Sequence, residues 1–219
     1  MPARYLNNHA VTRWLDELRA RADADPALAE IVRLLSAGDG EAARARAEAV
    51  TAARPDDADA WYLLGLACAE TGALGASLAA CDRCIDLAPD FPDAHFGRGC
   101  AFEAMRRDDL AAAAYGDAIT RDPTFTRAWI NLTLACLRAG ELASALAATD
   151  AAFAAGVDDP VLRYKRAEAL ARAGRPDDAV AELERAIALD PAAAAEIADD
   201  EVFAAALDAA TLARLAALG

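Results

Sequence analysis

Apolar residues recur at three- and four-residue intervals through most of the chain, in runs that Gly or Pro interrupts. Residues 60–69 and 74–87 form one such pair, broken at Thr71-Gly72, and two runs of helical period with a glycine at the break predict a helical hairpin. The interruptions are themselves periodic. Pro55, Pro89, Pro123 and Pro191 fall on a ruler of 34 residues, with Val157 at the one mark that lacks proline. Five frames follow without insertion or deletion, at 24–57, 58–91, 92–125, 126–159 and 160–193, and proline at the mark stops the second helix of a pair.

Within the frames, small residues recur where two helices must approach: Gly65, Gly99 and Ala167 on first helices, Ala111, Ala145 and Ala179 on second helices. Asp56, Asp57, Asp90, Asp158 and Asp159 precede first helices, where a side-chain oxygen and a negative charge are both favourable, and Pro92 and Pro160 fit a first helical turn. The pairs Asp108-Asp109 and Asp177-Asp178 stand at starts of second helices, where capping accounts for them. One hairpin cannot bury its own apolar face, so neighbours must stack and the ends need covers. Residues 1–23 supply an N-terminal extension with a capping helix over 10–22, striped by Val11, Trp14, Leu15 and Leu18. Residues 194–219, with Ile197, Val202, Phe203, Leu207, Leu212, Leu215 and Leu218, supply two or three short helices at the other end.

The residues inside the frame carry a resemblance. Trp61, Leu64, Gly65, Ser77, Cys84 and Pro89 in the second frame, Gly99, Phe102, Ala111, Tyr115, Ala118 and Pro123 in the third, Trp129, Leu132, Ala135, Ala145 and Ala152 in the fourth, and Ala167, Ala179, Leu183, Ala186 and Pro191 in the fifth resemble the pattern of the tetratricopeptide repeat family. The first frame is degenerate, with Gly38, Ala43 and Pro55 in place but Ala27 and Glu30 where Trp and Leu would stand. The resemblance implies an all-α, right-handed α-α superhelix of about five hairpins, and a non-enzymatic module that binds a peptide or partner segment in a concave groove lined by first helices.

Carried over residue by residue, the family's groove positions fall on Asp59, Tyr62, Leu63, Leu66 and Glu70 in the second frame and on Asp93, Phe96, Cys100 and Glu103 in the third. The fourth gives Arg127, Ile130, Asn131, Leu134 and Arg138; the fifth gives Val161, Tyr164, Lys165, Glu168 and Arg172. The early half reads as acidic with exposed Tyr and Phe. The later half collects Arg127, Arg138, Lys165 and Arg172. Arginine grips carboxylates in a bidentate fork, so an acidic peptide is the expected ligand, with Tyr62, Leu66, Phe96, Leu134 and Tyr164 as apolar contacts and Asn131 bonding its main chain. A family variant that clamps the C-terminal carboxylate of chaperone peptides is not expected: Tyr62 and Leu66, or Phe96 and Cys100, stand where its first Lys and Asn would be, and Val161 replaces a basic residue.

Composition supports an all-helical chain, since 64 of 219 residues are Ala and aromatics make up 6%. The formal charge of -14 has the wrong sign for a phosphate backbone, which disfavours nucleic acid and anionic membranes. It also makes the local basic patch informative, because acidity elsewhere repels an acidic ligand from other faces. Neither an apolar leader nor a spanning run is present in the sequence, and a cytoplasmic location is expected. Lys165 as the sole lysine among many arginines, with the Ala excess, points to a GC-rich bacterial genome.

Five cysteines in helical sequence suit free thiols in a reducing compartment. Cys81 and Cys84 sit one turn apart, with Cys68 and Cys100 as further metal-ligand candidates, but the frame positions of Cys81 and Cys84 call for buried, small apolar residues, so neither metal nor cofactor is expected. A Cys-based metal or redox protein is the remote alternative. Of two histidines, His9 lies in the N-terminal extension and His95 takes the slot of Trp61 and Trp129, a packing position. No catalytic set remains, and an enzyme is not expected. The competing reading is a scaffold that self-assembles, copies stacking through their terminal helices into a homo-oligomer.

Overall fold

The computed structural model describes residues 25–219; the predicted helix over 10–22, the rest of the N-terminal extension and His9 lie outside them. Thirteen helices and no strand make up the described residues. Ten form hairpins: α1 Pro26–Ser36 and α2 Gly40–Ala53, α3 Ala58–Glu70 and α4 Leu74–Leu87, α5 Pro92–Ala104 and α6 Asp108–Arg121, α7 Thr126–Ala139 and α8 Leu142–Ala154, α9 Pro160–Arg172 and α10 Pro176–Leu189. Three short ones follow, α11 Ala193–Asp199, α12 Glu201–Ala206 and α13 Ala209–Ala216.

Local chemistry explains where helices begin. Asp25, Asp39, Asp57 and Asp159 cap α1, α2, α3 and α9, each accepting from a backbone N–H of the first turn at 2.8–3.3 Å, an interaction worth about 1 kcal/mol. Pro occupies the first position of α1, α5, α9 and α10. The expected caps at Asp90, Asp108 and Asp177 are corrected: Phe91, Arg107 and Arg175 hold the cap positions and make no side-chain capping hydrogen bond. Asp108, Asp109, Asp177 and Asp178 lie inside first turns, where they offset the helix dipole.

First helices end alike. At positions 38, 72, 106, 140 and 174 the backbone turns left-handed, φ +62 to +78, and the next residue's N–H reaches back to a carbonyl five residues earlier, as Ala73 does to Cys68 at 2.8 Å. That closure satisfies carbonyls the helix leaves orphaned. Second helices end before the 34-residue prolines, except α8, where Gly156 turns left-handed and Val157 bonds back to Ala152 at 2.9 Å.

The described residues fall into two compact units, 25–122 and 123–219. In the first, consecutive helices pack from α1 to α6, and the first helices α1, α3 and α5 also touch in sequence, whereas the second helices have no comparable mutual contact. A row whose first helices lie closer together than its second helices bends toward the first-helix side. Its core runs from Leu28, Ile31 and Val32 through Val50 to Tyr62, Leu63, Ala67 and Cys84; a fully buried Ile or Leu contributes about 1.5–3 kcal/mol. Gly99 shows why the small residues matter: a Cβ there would lie 2.5 Å from the Tyr115 ring.

In the second unit α7 and α9 touch as first helices, α8 packs on both, and α10 pairs with α9. Here α11 packs on α10 while α12 turns onto α9, and α13 closes over α11 and α12. Ile197, Phe203 and Leu215 are fully buried against Leu170, Leu183 and Ile187. An ion network centred on buried Glu182 ties α9 to α10: Glu182 meets Arg163 and Arg185 at 2.7 Å and Arg166 at 3.6 Å.

Candidate functional site

The groove positions lie on α3 and α5 in the first unit and on α7 and α9 in the second, so each set is a row of adjacent first-helix faces. On α3, the expectation of an exposed Tyr62 is corrected. Its side chain is 1% exposed, and the ring meets Phe91 edge-on, centroids 5.2 Å apart; burying two large apolar rings outweighs exposing one to an unoccupied groove. Leu63 is likewise core, whereas Leu66 is half-buried and reaches the surface.

On α5, Phe96 is half-buried beside Tyr115, centroids 5.5 Å apart. The Tyr115 hydroxyl donates to Glu103 at 2.5 Å, tying one acidic groove position to the second helix of its hairpin. His95 fills the tryptophan slot. Trp61 and Trp129 donate their indole N–H to the carbonyls of Pro55 and Pro123 at 2.9 and 2.8 Å, and His95 Nε2 sits 3.0 Å from the carbonyl of Pro89. All three brace the first helix against the preceding loop.

On α7, Ile130 is buried; Arg127, Asn131 and Leu134 are half-buried, and Arg138 is exposed. The Arg127 guanidinium lies 4.9 Å from the centre of the Phe125 ring. On α9, Tyr164 is a second expected surface aromatic that the structure buries, at 7% exposure. Its hydroxyl donates to Asp200 at 2.5 Å and its ring meets Phe203 edge-on at 5.3 Å; burial first, and this bond second, push the phenol well above its ordinary range. Lys165 and Arg172 both reach Glu168, at 3.0 and 3.4 Å, and Arg172 also donates to the Leu137 carbonyl at 3.0 Å. Lys165 and Arg172 therefore share a counter-ion from their own helix. The i, i+3 and i, i+4 spacing of these three residues was the signal for it. Asp200 and Phe203, which cover Tyr164, left no comparable trace beyond Phe203's place in an apolar run.

The cysteines are packing residues. All five are thiols, and Cys68, Cys81, Cys84 and Cys136 are buried. Cys81 Sγ lies where a Cβ on Gly65 would come within 3.0 Å and one on Gly97 within 3.2 Å, so it fills the contact between α3, α4 and α5. Burial pushes its thiol up to about 12. Among the described residues, no three His, Cys, Asp or Glu side chains gather as metal ligands do, and no helix is long and apolar enough to cross a membrane.

Comparison with known proteins places the architecture. The tetratricopeptide repeat model matches residues 28–92 and 96–160, and a second model of the same repeat matches 160–193. No curated protein matches the chain. Among solved structures, the crystal structure of MamA is similar over 75% of this chain and 96% of its own, with a TM-score of 0.65 and 19% identity. MamA from residue 41 onward from Desulfovibrio magneticus RS-1 gives 74% and 92%, 0.63 and 18%. YrrB, described as a tetratricopeptide repeat protein with an unusual peptide-binding site, gives 84% and 93%, 0.59 and 18%. At such identities the likeness speaks for the fold. With the repeat model spanning more than half of the residues, and with hairpins closed at every 34th position, the chain belongs to the tetratricopeptide repeat family, and its fold class is the all-α solenoid of that family.

Proposed function

We propose that the protein is a non-enzymatic interaction module that holds a peptide or segment of a partner protein along its first-helix faces. The observation that carries this reading is the composition of those faces. Adjacent first helices bring half-buried Leu66 and Phe96 together with Asp59, Asp93 and Glu103 in one unit, and Arg127, Asn131, Leu134 and Lys165 in the other. Half-buried apolar side chains beside polar ones are what a hot spot needs, a dehydrating contact flanked by groups that fix orientation. The peptide-binding site named for YrrB supports the same use of the fold. Tyr62 serves as a support beneath the surface in this reading. Arg127, Arg138, Lys165 and Arg172 make an acidic segment the favoured ligand for the second unit, where its carboxylates compete with Glu168.

The test replaces surface positions and spares the buried tyrosines. Asn131→Ala with Leu134→Ser should lower partner capture by at least about tenfold, with the helical CD signal intact, while Asp86→Ala on α4 should leave it unchanged. Equal capture by all three proteins would remove this face from consideration.

A second reading has one observation in its favour. Leu189 and Leu218, 47% and 51% exposed, are the large hydrophobic residues that stand open among the described residues, and both lie near the C-terminal end, where Gly219 rests against the Pro191 carbonyl. Copies stacking there would bury them. Sedimentation of the full chain with Leu189→Glu and Leu218→Glu tests this: an oligomer that dissociates supports it, and a monomeric parent protein excludes it.

A further inference from the structure

We propose that residues 196–203 occupy, in cis, the ligand position on α9, and that the partner segment this wall accepts has the same chemistry: a short helix capped by an acidic residue, with an aromatic residue three positions later. The inference rests on the groove reading above and adds its regulation and ligand class.

Three observations carry it. Asp200 uses both carboxylate oxygens: Oδ1 accepts from the Val202 N–H at 2.8 Å and so opens α12, while Oδ2 accepts from the Tyr164 hydroxyl at 2.5 Å. Phe203, three residues on, meets the Tyr164 ring edge-on at 5.3 Å with planes 87° apart, and is fully buried. Finally, α12 packs on the first helix α9, while α11 alone continues the stack onto α10. A cover needs only apolar area, yet this one presents a carboxylate to the groove tyrosine and an aromatic to its ring. Those are the contacts expected of an acidic peptide on this wall.

The energetics make the occupant exchangeable in principle and strongly favoured in practice. Helices of six and seven residues have no stability of their own, so α11 and α12 persist through their contacts. A tethered segment acts at an effective concentration of about millimolar, so a free peptide with the same contacts cannot displace it at micromolar concentration. Weakening the cis contact lifts that handicap, because apparent affinity scales with the fraction of molecules whose wall is open.

The experiment uses the full chain and a fluorescein-labelled synthetic peptide carrying residues 194–207. Asp200→Asn keeps a capping side chain but removes the charge facing Tyr164; Phe203→Ala removes the aromatic. The expected result is weak anisotropy change with the parent protein and at least about tenfold tighter peptide binding by the variants. In parallel, hydrogen exchange of the parent chain should show amides of 196–206 opening at least about tenfold faster than those of 161–170. Should Phe203→Ala unfold the second unit, Asp200→Asn and the parent protein's exchange still decide. Peptide affinity unchanged in folded Asp200→Asn, or 196–206 exchanging in step with 161–170, would make the segment a fixed cover and overturn the proposal. Its failure is separate from that of the groove reading, which is judged by partner capture through Asn131 and Leu134.

Discussion

His95 Nε2 lies 3.0 Å from the carbonyl oxygen of Pro89, in the place where tryptophan makes the same bond one repeat earlier and one repeat later. A carbonyl only accepts, so Nε2 carries the proton and Nδ1 is the bare nitrogen. Nδ1 is buried without a hydrogen-bond partner. Arg121 donates to the same carbonyl at 2.6 Å, and Arg98 and Asp117 complete the charged surroundings.

This arrangement predicts acid sensitivity. Burial, with the Arg121 and Arg98 charges adding to it, holds the His95 pKa below 6.5. The unfolded chain then binds a proton that the folded chain refuses. Stability from this group is complete above pH 6.5 and falls as pH drops below it. Urea midpoints between pH 7.5 and 5 should decline for the parent protein and decline less for His95→Trp. Parallel slopes for the two proteins would show that His95 does not sense pH.

Arg106 is the non-glycine residue with positive φ among the described residues, at +62°, and it stands at the place that Gly38, Gly72, Gly140 and Gly174 take in the other hairpins. A side chain in this backbone region costs about 1–2 kcal/mol. Arg106→Gly should therefore stabilise the protein by roughly 1 kcal/mol, offset partly by the added freedom of the unfolded chain. A chemical denaturation midpoint equal to or lower than the parent's would contradict this.

Much of this was legible in the order of residues, because periodicity states it directly. The 34-residue proline ruler marks where all but one of the helix pairs end, the glycines at 38, 72, 140 and 174 mark the turn inside four of the five pairs, and Thr71-Gly72 breaks α3 from α4 where the structure turns the chain. The groove was legible only as positions. That Tyr62 lies under Phe91, and Tyr164 under Phe203, depends on partners 29 and 39 residues away whose side-chain directions no local pattern encodes. Charge is different: Glu168 stands three residues after Lys165 and four before Arg172, a local helical spacing that pairs all three.

Glu182 is 7% exposed and holds Arg163, Arg166 and Arg185. Removing one partner of a buried network leaves charges that cannot regain water. Arg163 and Arg166 each keep a second carboxylate, Asp158 and Asp150, both at 2.7 Å, so the cost is smaller than for an isolated pair. Glu182→Ala should destabilise the protein by about 1–3 kcal/mol, and Glu182→Gln by less. Unchanged melting of Glu182→Ala would mean that the network is a solvated surface.

Thiol reactivity offers a further check. Cys100 is half-buried, whereas Cys81 is 1% exposed and burial pushes its thiol up to about 12. Nucleophilic attack needs an accessible thiolate. At pH 8 a disulfide dye should label Cys100 first in the native protein, and Cys81 only after denaturant. Mass spectrometric mapping that finds Cys81 labelled natively would contradict the packing role given to it.

The central claim, that first-helix faces hold the partner, is tested most directly by where a photo-crosslinker captures it. Benzoylphenylalanine placed singly at Leu66 or Asn131 on first helices, and at Asp86 or Ala147 on exposed faces of second helices, samples both sides of the same hairpins. The account predicts one partner band, crosslinked from Leu66 or Asn131 and absent from Asp86 and Ala147; the same band arising from the second-helix positions alone would contradict it.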